Sequence, residues 1–298
     1  MHRVFDLIIP LYNKEYTIEK TILTALNQEY KFNKIFVIDD GSTDKSALVV
    51  NNLIKKYHHI ELIKQKNRGV SFARNLGVQK SSADYIVFLD ADDYLSKYYL
   101  KQINILVDKF NKKANIFSAK HSFDNNDENK AKQKYSYSFS SFPLRSFLFK
   151  KNIICSSGLC LNRGIFENFQ FRNNIKIGED IDFFLKIFSK EKLCWINNYL
   201  IFINKTAENR SDEFWEIPFF LINKKEMFTL YRSKLKKLIL QLFYLKNYYS
   251  IHYKIKLFYP KYQNQFKELI TEFNFFEKIF LVIVKTKLFE KFYKKKSI

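Results

Sequence analysis

Along the first 110 residues, short apolar runs alternate with segments whose apolar positions recur at helical spacing. Residues 4–9 form a β-rich run closed by Pro10, which reads as a first strand. In residues 15–28, Ile18, Ile22, Ala25 and Leu26 lie on one helix face. Residues 34–38 read as a second strand ending at Asp39-Asp40-Gly41-Ser42, and Thr43 or Asp44 can cap a helix running to about Tyr57. A third strand follows at 60–64, a helix at 70–79, a fourth strand at 85–89 that ends on Asp90, and a helix at 94–110. This alternation predicts βαβ units and an α/β fold with a mostly parallel sheet. Such sheets bind ligands at the carboxyl ends of their strands, where both acidic clusters fall.

Farther along, residues 122–137 are polar and poor in aliphatics, which suggests an exposed loop. Residues 154–161 resume a strand-like pattern. Gly178-Glu179-Asp180 introduces a helix to about Ser189 with Phe183, Phe184, Ile187 and Phe188 on its apolar face, and 193–203 is strand-like again. Beyond Asp212 the pattern turns helical and rich in Lys, Phe and Tyr. The predicted division is therefore a catalytic domain at 1–211 and a helical, basic region at 212–298, with no internal repeat.

Composition refines this picture in two places. The net charge of +21 is uneven: residues 223–298 hold 18 Lys and Arg against 5 Asp and Glu. A basic, aromatic end predicts a polyanionic partner. Residues 277–293 have the make-up of an in-plane amphipathic helix on an anionic membrane surface, or of a helix packed with its lysines in water. Cys155, Cys160 and Cys194 form no C-x-x-C pair and leave an odd number, which predicts buried thiols in a reducing compartment. The N-terminal run is too short for a signal peptide, and the longest apolar stretch, 279–284, is far short of a membrane span. The expected location is cytoplasmic, peripheral on the inner face of the cytoplasmic membrane.

The candidate chemistry centres on Asp90, Asp92 and Asp93 at the mouth of a buried strand, where three carboxylates are costly unless something positive joins them. Mn²⁺ and Mg²⁺ commonly bridge one or two carboxylates to a diphosphate, so an Asp-x-Asp here suits a metal-held nucleotide; a capped acidic turn is the plain alternative. The ordered set IIPLYN (8–13), VIDDGSTD (37–44), NRGVSFARN (67–75), YIVFLDADD (85–93) and GEDIDFFLK (178–186) closely resembles glycosyltransferase family 2, over about the first 210 residues.

That resemblance implies the GT-A fold, a Rossmann-like sheet flanked by helices, and an inverting transfer from a nucleotide-diphosphate sugar with Mn²⁺ or Mg²⁺. Carried over by position, Pro10 and Tyr12 would line the nucleotide pocket, and Asp39 and Asp40 would face base and ribose, an Asx-turn and helix cap being the other reading of that pair. Asn67, Arg68 and Arg74 would add nucleotide-side contacts, Asp90 would reach the ribose or the metal shell, and Asp92 would be the main metal ligand. Asp180 would be the general base, or alternatively only a helix N-cap. The Gln-x-x-Arg-Trp signature of processive synthases is lacking, which favours transfer of a single sugar to a glycan or lipid-linked acceptor. UDP is the expected nucleotide. A nucleotidyltransferase, or a non-catalytic protein that binds membrane or nucleic acid, is the competing reading; no nucleic acid partner is expected on the leading one.

Overall fold

The computed structural model describes residues 3–123, 134–206, 221, 223–244 and 247. The chain divides into two compact units, Met1–Ser211 and Asp212–Ile298.

In the first unit the strands β1 (Phe5–Leu11), β2 (Lys34–Asp39), β3 (Ile60–Lys64) and β4 (Tyr85–Phe88) are joined through the helices α1 (Ile18–Leu26), α2 (Ser46–Ile54) and α3 (Val70–Lys80). β5 (Tyr94–Leu95), α4 (Tyr99–Phe110), β6 (Ile116–Ser122), β7 (Tyr137–Ser140), α5 (Pro143–Phe149), β8 (Leu159–Asn162), α6 (Glu179–Lys190) and β9 (Leu193–Phe202) follow. The sheet order is β3-β2-β1-β4-β8-β6-β9-β5, with β7 also on β9. The predicted parallel arrangement holds from β3 through β4. The other half is mixed: β8 is antiparallel to both β4 and β6, while β6 and β9 are parallel.

Strand alternation sends side chains to two layers. Leu7, Ile9, Leu11, Ile35 and Val37 join a core with Ile18, Ile22, Val50, Leu53, Leu100 and Ile103 of α1, α2 and α4. On the opposite face α3 lies so close to β1 that a Cβ on Gly77 would come within 2.4 Å of the Ile8 side chain. Phe88 meets the rings of Phe166 and Phe171 there, and Phe171 stacks on Phe183 of α6 at 4.0 Å. Asp6, fully buried, ties the lower edge: its carboxylate accepts from Asn33 Nδ2, the Lys34 N–H and Ser81 Oγ.

Several local expectations need correction. β1 does not stop at Pro10. The Ile8 carbonyl accepts from Leu89 N–H and the Leu11 carbonyl from Asp40 N–H, so Pro10 turns its missing N–H toward β4 just where β4 has departed, and no ladder bond is lost. Tyr94 and Leu95 do not begin a helix; both are buried and pair with Phe202 and Ile201. The strand in this region is Leu159–Asn162, beginning five residues later than expected, because Ser156-Ser157-Gly158 turns, with Gly158 at φ +68°. β6, β7 and α5 were not anticipated. In the second unit α7 (Lys224–Leu230) is followed by helical residues at 234–244. The amphipathic reading of 277–293 and the apolar run at 279–284 lie outside the described residues. Among those described, no helix is long and apolar enough to cross a membrane.

Gly158 is the tightest constraint in this unit. Its N–H donates to the Phe88 carbonyl, its carbonyl accepts from the Tyr99 hydroxyl, and an added Cβ would lie 2.3 Å from Ile201 Cδ1. Left-handed strain of ~1–2 kcal/mol and overpacking of ~1–3 kcal/mol add here. Gly158→Ala should lower the thermal midpoint by ~5–15 °C in a calorimetric scan.

Candidate active site

The carboxyl ends of β1, β2 and β4, together with the start of α6, surround a cavity of about 530 Å³. Pro10, Tyr12, Asp40, Asn67, Arg74, Asp90, Asp92 and Asp180 all line it, so eight of the ten sequence-derived candidates converge. Asp39 and Arg68 do not. Neighbouring residues at a strand end point to opposite sides, and here Asp40 takes the cavity side. Asp39 instead accepts from the Ser42 N–H at 2.9 Å, the Asx-turn alternative. Arg68 is exposed, with its guanidinium 3.6 Å from the Phe72 ring centre, and only its backbone N–H reaches Asp40.

Asp40 is buried and heavily engaged. Its carboxylate accepts from Gln65 Nε2 and from the N–H groups of Arg68 and Gly69, so it fixes the loop that leads into α3. The turn after β4 is held as firmly. The hydroxyls of Thr17 and Thr21 both donate to the Ala91 carbonyl at 3.0 Å. Asp93 accepts from Ser157 Oγ and from the Asn204 N–H, which pins this turn to the segments flanking β8 and β9. Burial first, then the charges of Asp90 and Asp92, push the Asp93 carboxyl up to about 8.

Two cations offset this charge. Lys14 Nζ lies 2.9 Å from Asp92 Oδ2, each side chain mostly buried. Arg74, placed by sequence on the nucleotide side, is buried between the two halves of the site: Nη2 reaches Asp90 at 2.9 Å and Nη1 reaches Glu179 at 3.1 Å. Burial alone would lower its pKa, but Asp90 and Glu179 outweigh burial and hold it above its usual value. The guanidinium also faces the Phe171 ring at 5.2 Å.

Asp180 is not the N-cap of α6. Gly178 occupies that position in the left-handed region at φ +82°, and Asp180 sits in the first turn with Oδ1 accepting from the Ile181 N–H. Burial, followed by the Glu179 charge, pushes its carboxyl up to about 7, against the opposing pull of Arg74. A carboxylate of that basicity is suited to take a proton near neutral pH.

Lys14, His121, Phe123, Cys155, Ser157 and Lys176 also line the cavity and were not singled out from sequence. Lys14 had a signal, its place one residue past the IIPLYN run. The others sit on segments that carry no motif. Burial, and then the nearby carboxylates, raise the Cys155 thiol well above its ordinary value, so it stays protonated and is no nucleophile.

The sequence model described as "Glycosyl transferase family 2" matches residues 6–169. An uncharacterized glycosyltransferase of Haemophilus influenzae is 42% identical over 106 residues, covering 35% of this chain and 42% of that one. Another, from Rickettsia bellii, is 31% identical over 208 residues, 68% of this chain and 29% of that one. The chain thus spans less than half the length of these curated relatives. Among solved structures, S. aureus TarS residues 1–349, in complex with UDP-GlcNAc, superposes with a TM-score of 0.72 at 17% identity, covering 89% of this chain and 79% of that one. The fold is the GT-A arrangement anticipated from the motifs. The family match spans more than half of the residues and contains both acidic strand ends of the cavity, and on that ground this chain is a glycosyltransferase belonging to family 2.

Proposed function

We propose that the cavity binds a nucleotide-diphosphate sugar, specifically a UDP-sugar, and passes its single sugar with inversion to a hydroxyl of a glycan or lipid-linked acceptor. The observation that carries this reading is the presence, in one cavity, of Asp180 with a carboxyl raised to about 7 and of the Asp90–Asp92 turn, linked through Arg74 and Glu179. The UDP preference is supported by the TarS fragment of like fold, whose structure holds UDP-GlcNAc.

Inversion by direct displacement needs one base. The Asp180 carboxylate takes the acceptor hydroxyl proton while the acceptor oxygen bonds to the anomeric carbon. The bond from that carbon to the diphosphate oxygen breaks, and its electron pair leaves with the diphosphate. Lys14, at the cavity wall beside Asp92, is placed to oppose the negative charge gathering there. The chemistry of the donor set fits a divalent ion. Three adjacent carboxylates want a cation, yet no group of three or more His, Cys, Asp or Glu suited to a metal occurs among the described residues. An ion would therefore need the phosphates of the donor to complete its shell. Asp92, with Asp90, would hold Mn²⁺ or Mg²⁺ arriving with the donor, and the ion would supply charge stabilisation to the departing diphosphate.

Asp180→Asn should reduce kcat ~100- to 10,000-fold while leaving UDP affinity by calorimetry within about twofold; retained transfer removes Asp180 as the base. Asp92→Asn should abolish the gain in UDP affinity that Mn²⁺ confers, read as identical titrations with and without the metal. The base must be ionised to act, and its pKa is raised, so kcat/KM should fall as pH drops through about 7. Glu179→Gln removes a charge that raises Asp180 and frees Arg74 to lower it, so the acid limb should move to lower pH. An unmoved limb assigns the ionisation to another group.

A further inference from the structure

His121, at the end of β6, lines the cavity with a buried imidazole whose Nδ1 the fold leaves unused among the described residues. It is 8% exposed, and its Nδ1 is buried with no hydrogen-bond partner among the described residues. Its backbone is held by the fold, the N–H donating to the Asn152 carbonyl at 2.9 Å and the residue lying in register with Ile201 of β9. A buried polar nitrogen left unpaired costs ~1–3 kcal/mol, which a bound ligand can restore.

The sheet order locates it. Asp40 and Tyr12 stand at the ends of β2 and β1, the Asp90–Asp92 turn at the end of β4, and His121 two strands beyond, past β8. Two strand spacings amount to ~10 Å, which leaves room between the turn and His121 for a hexose on the side away from the nucleotide end. Burial pushes the imidazole down to about 4, so it is neutral near pH 7 despite the acidic site. A neutral imidazole donates one hydrogen bond and accepts one, as a hydroxyl does, and it offers a phosphate no charge. Phe123, whose ring meets the imidazole edge-on at 5.5 Å and carries Lys205 Nζ 4.1 Å from its centre on one face, lines the cavity with Ile203 as apolar surface for the C–H face of a sugar.

We propose that His121 is a specificity-determining residue that hydrogen-bonds a hydroxyl of the transferred sugar on the donor. This rests on the donor reading above, which the test separates from it. UDP and a panel of UDP-glucose, UDP-galactose, UDP-GlcNAc and UDP-GalNAc are titrated calorimetrically into the wild-type chain with Mn²⁺, and the tightest UDP-sugar is carried forward. His121→Phe keeps a flat ring, slightly larger than imidazole, without a polar atom. It should weaken that UDP-sugar ~three- to tenfold and leave UDP within about twofold. His121→Asn, which keeps a polar group near Nδ1, should restore most of the difference, and thermal unfolding checks that each variant folds. An unchanged ratio of UDP to UDP-sugar affinity in His121→Phe overturns the proposal, as does equal weakening of both. Failure of the wild type to bind UDP overturns the donor reading and this proposal with it.

Discussion

Six carboxyl groups, Asp40, Asp90, Asp92, Asp93, Glu179 and Asp180, line one cavity at the strand ends of a buried sheet. Like charges gathered at low dielectric repel strongly, so the fold must supply compensation or protonate some of them. It does both. Arg74 spans Asp90 and Glu179, Lys14 meets Asp92, and Asp93 and Asp180 have their proton affinities raised. Because Arg74 projects from α3 and Glu179 opens α6, the same ion pairs also fix the distance between the turn after β4 and the helix that carries the proposed base. One guanidinium thus contributes to charge balance and to geometry at once.

That guanidinium is steadied by an aromatic layer. Arg74 faces Phe171, which stacks on Phe183 of α6 and meets Phe88 of β4 edge-on. Phe88, Phe166, Phe171 and Phe183 are flat, stiff surfaces that seat α6 against the sheet without polar groups to satisfy. Asp180 is presented from a helix that cannot tilt without unstacking these rings.

The first half of the sheet was legible because β1, β2 and β4 are buried on both faces and the strands are separated by clear helical spacings. The IIPLYN, DDGS and DADD segments each end a strand, so position along the sequence translated directly into position at the cavity. What escaped notice depends on partners distant in sequence. β7 has a half-exposed pattern and is defined only by its pairing with β9. Tyr94-Leu95 has the apolar content of a helix start and becomes a strand only because Ile201 and Phe202 arrive beside it. Asp39 and Asp40 look equivalent in sequence, and only the strand pleat tells them apart. His121 sits in no motif; its unpaired nitrogen is visible only once β6, β9 and residue 152 are brought together.

Pro10 carries a consequence for the cavity itself. Two neighbouring parallel strands that part at a ligand site are always open to zipping shut by one more backbone bond. At this seam the donor such a bond would use is absent from the covalent structure, because the pyrrolidine nitrogen has no hydrogen to give. The seam between β1 and β4 therefore lacks one ladder donor at every pH, salt concentration and temperature, which weakens any extension of the sheet across the cavity mouth.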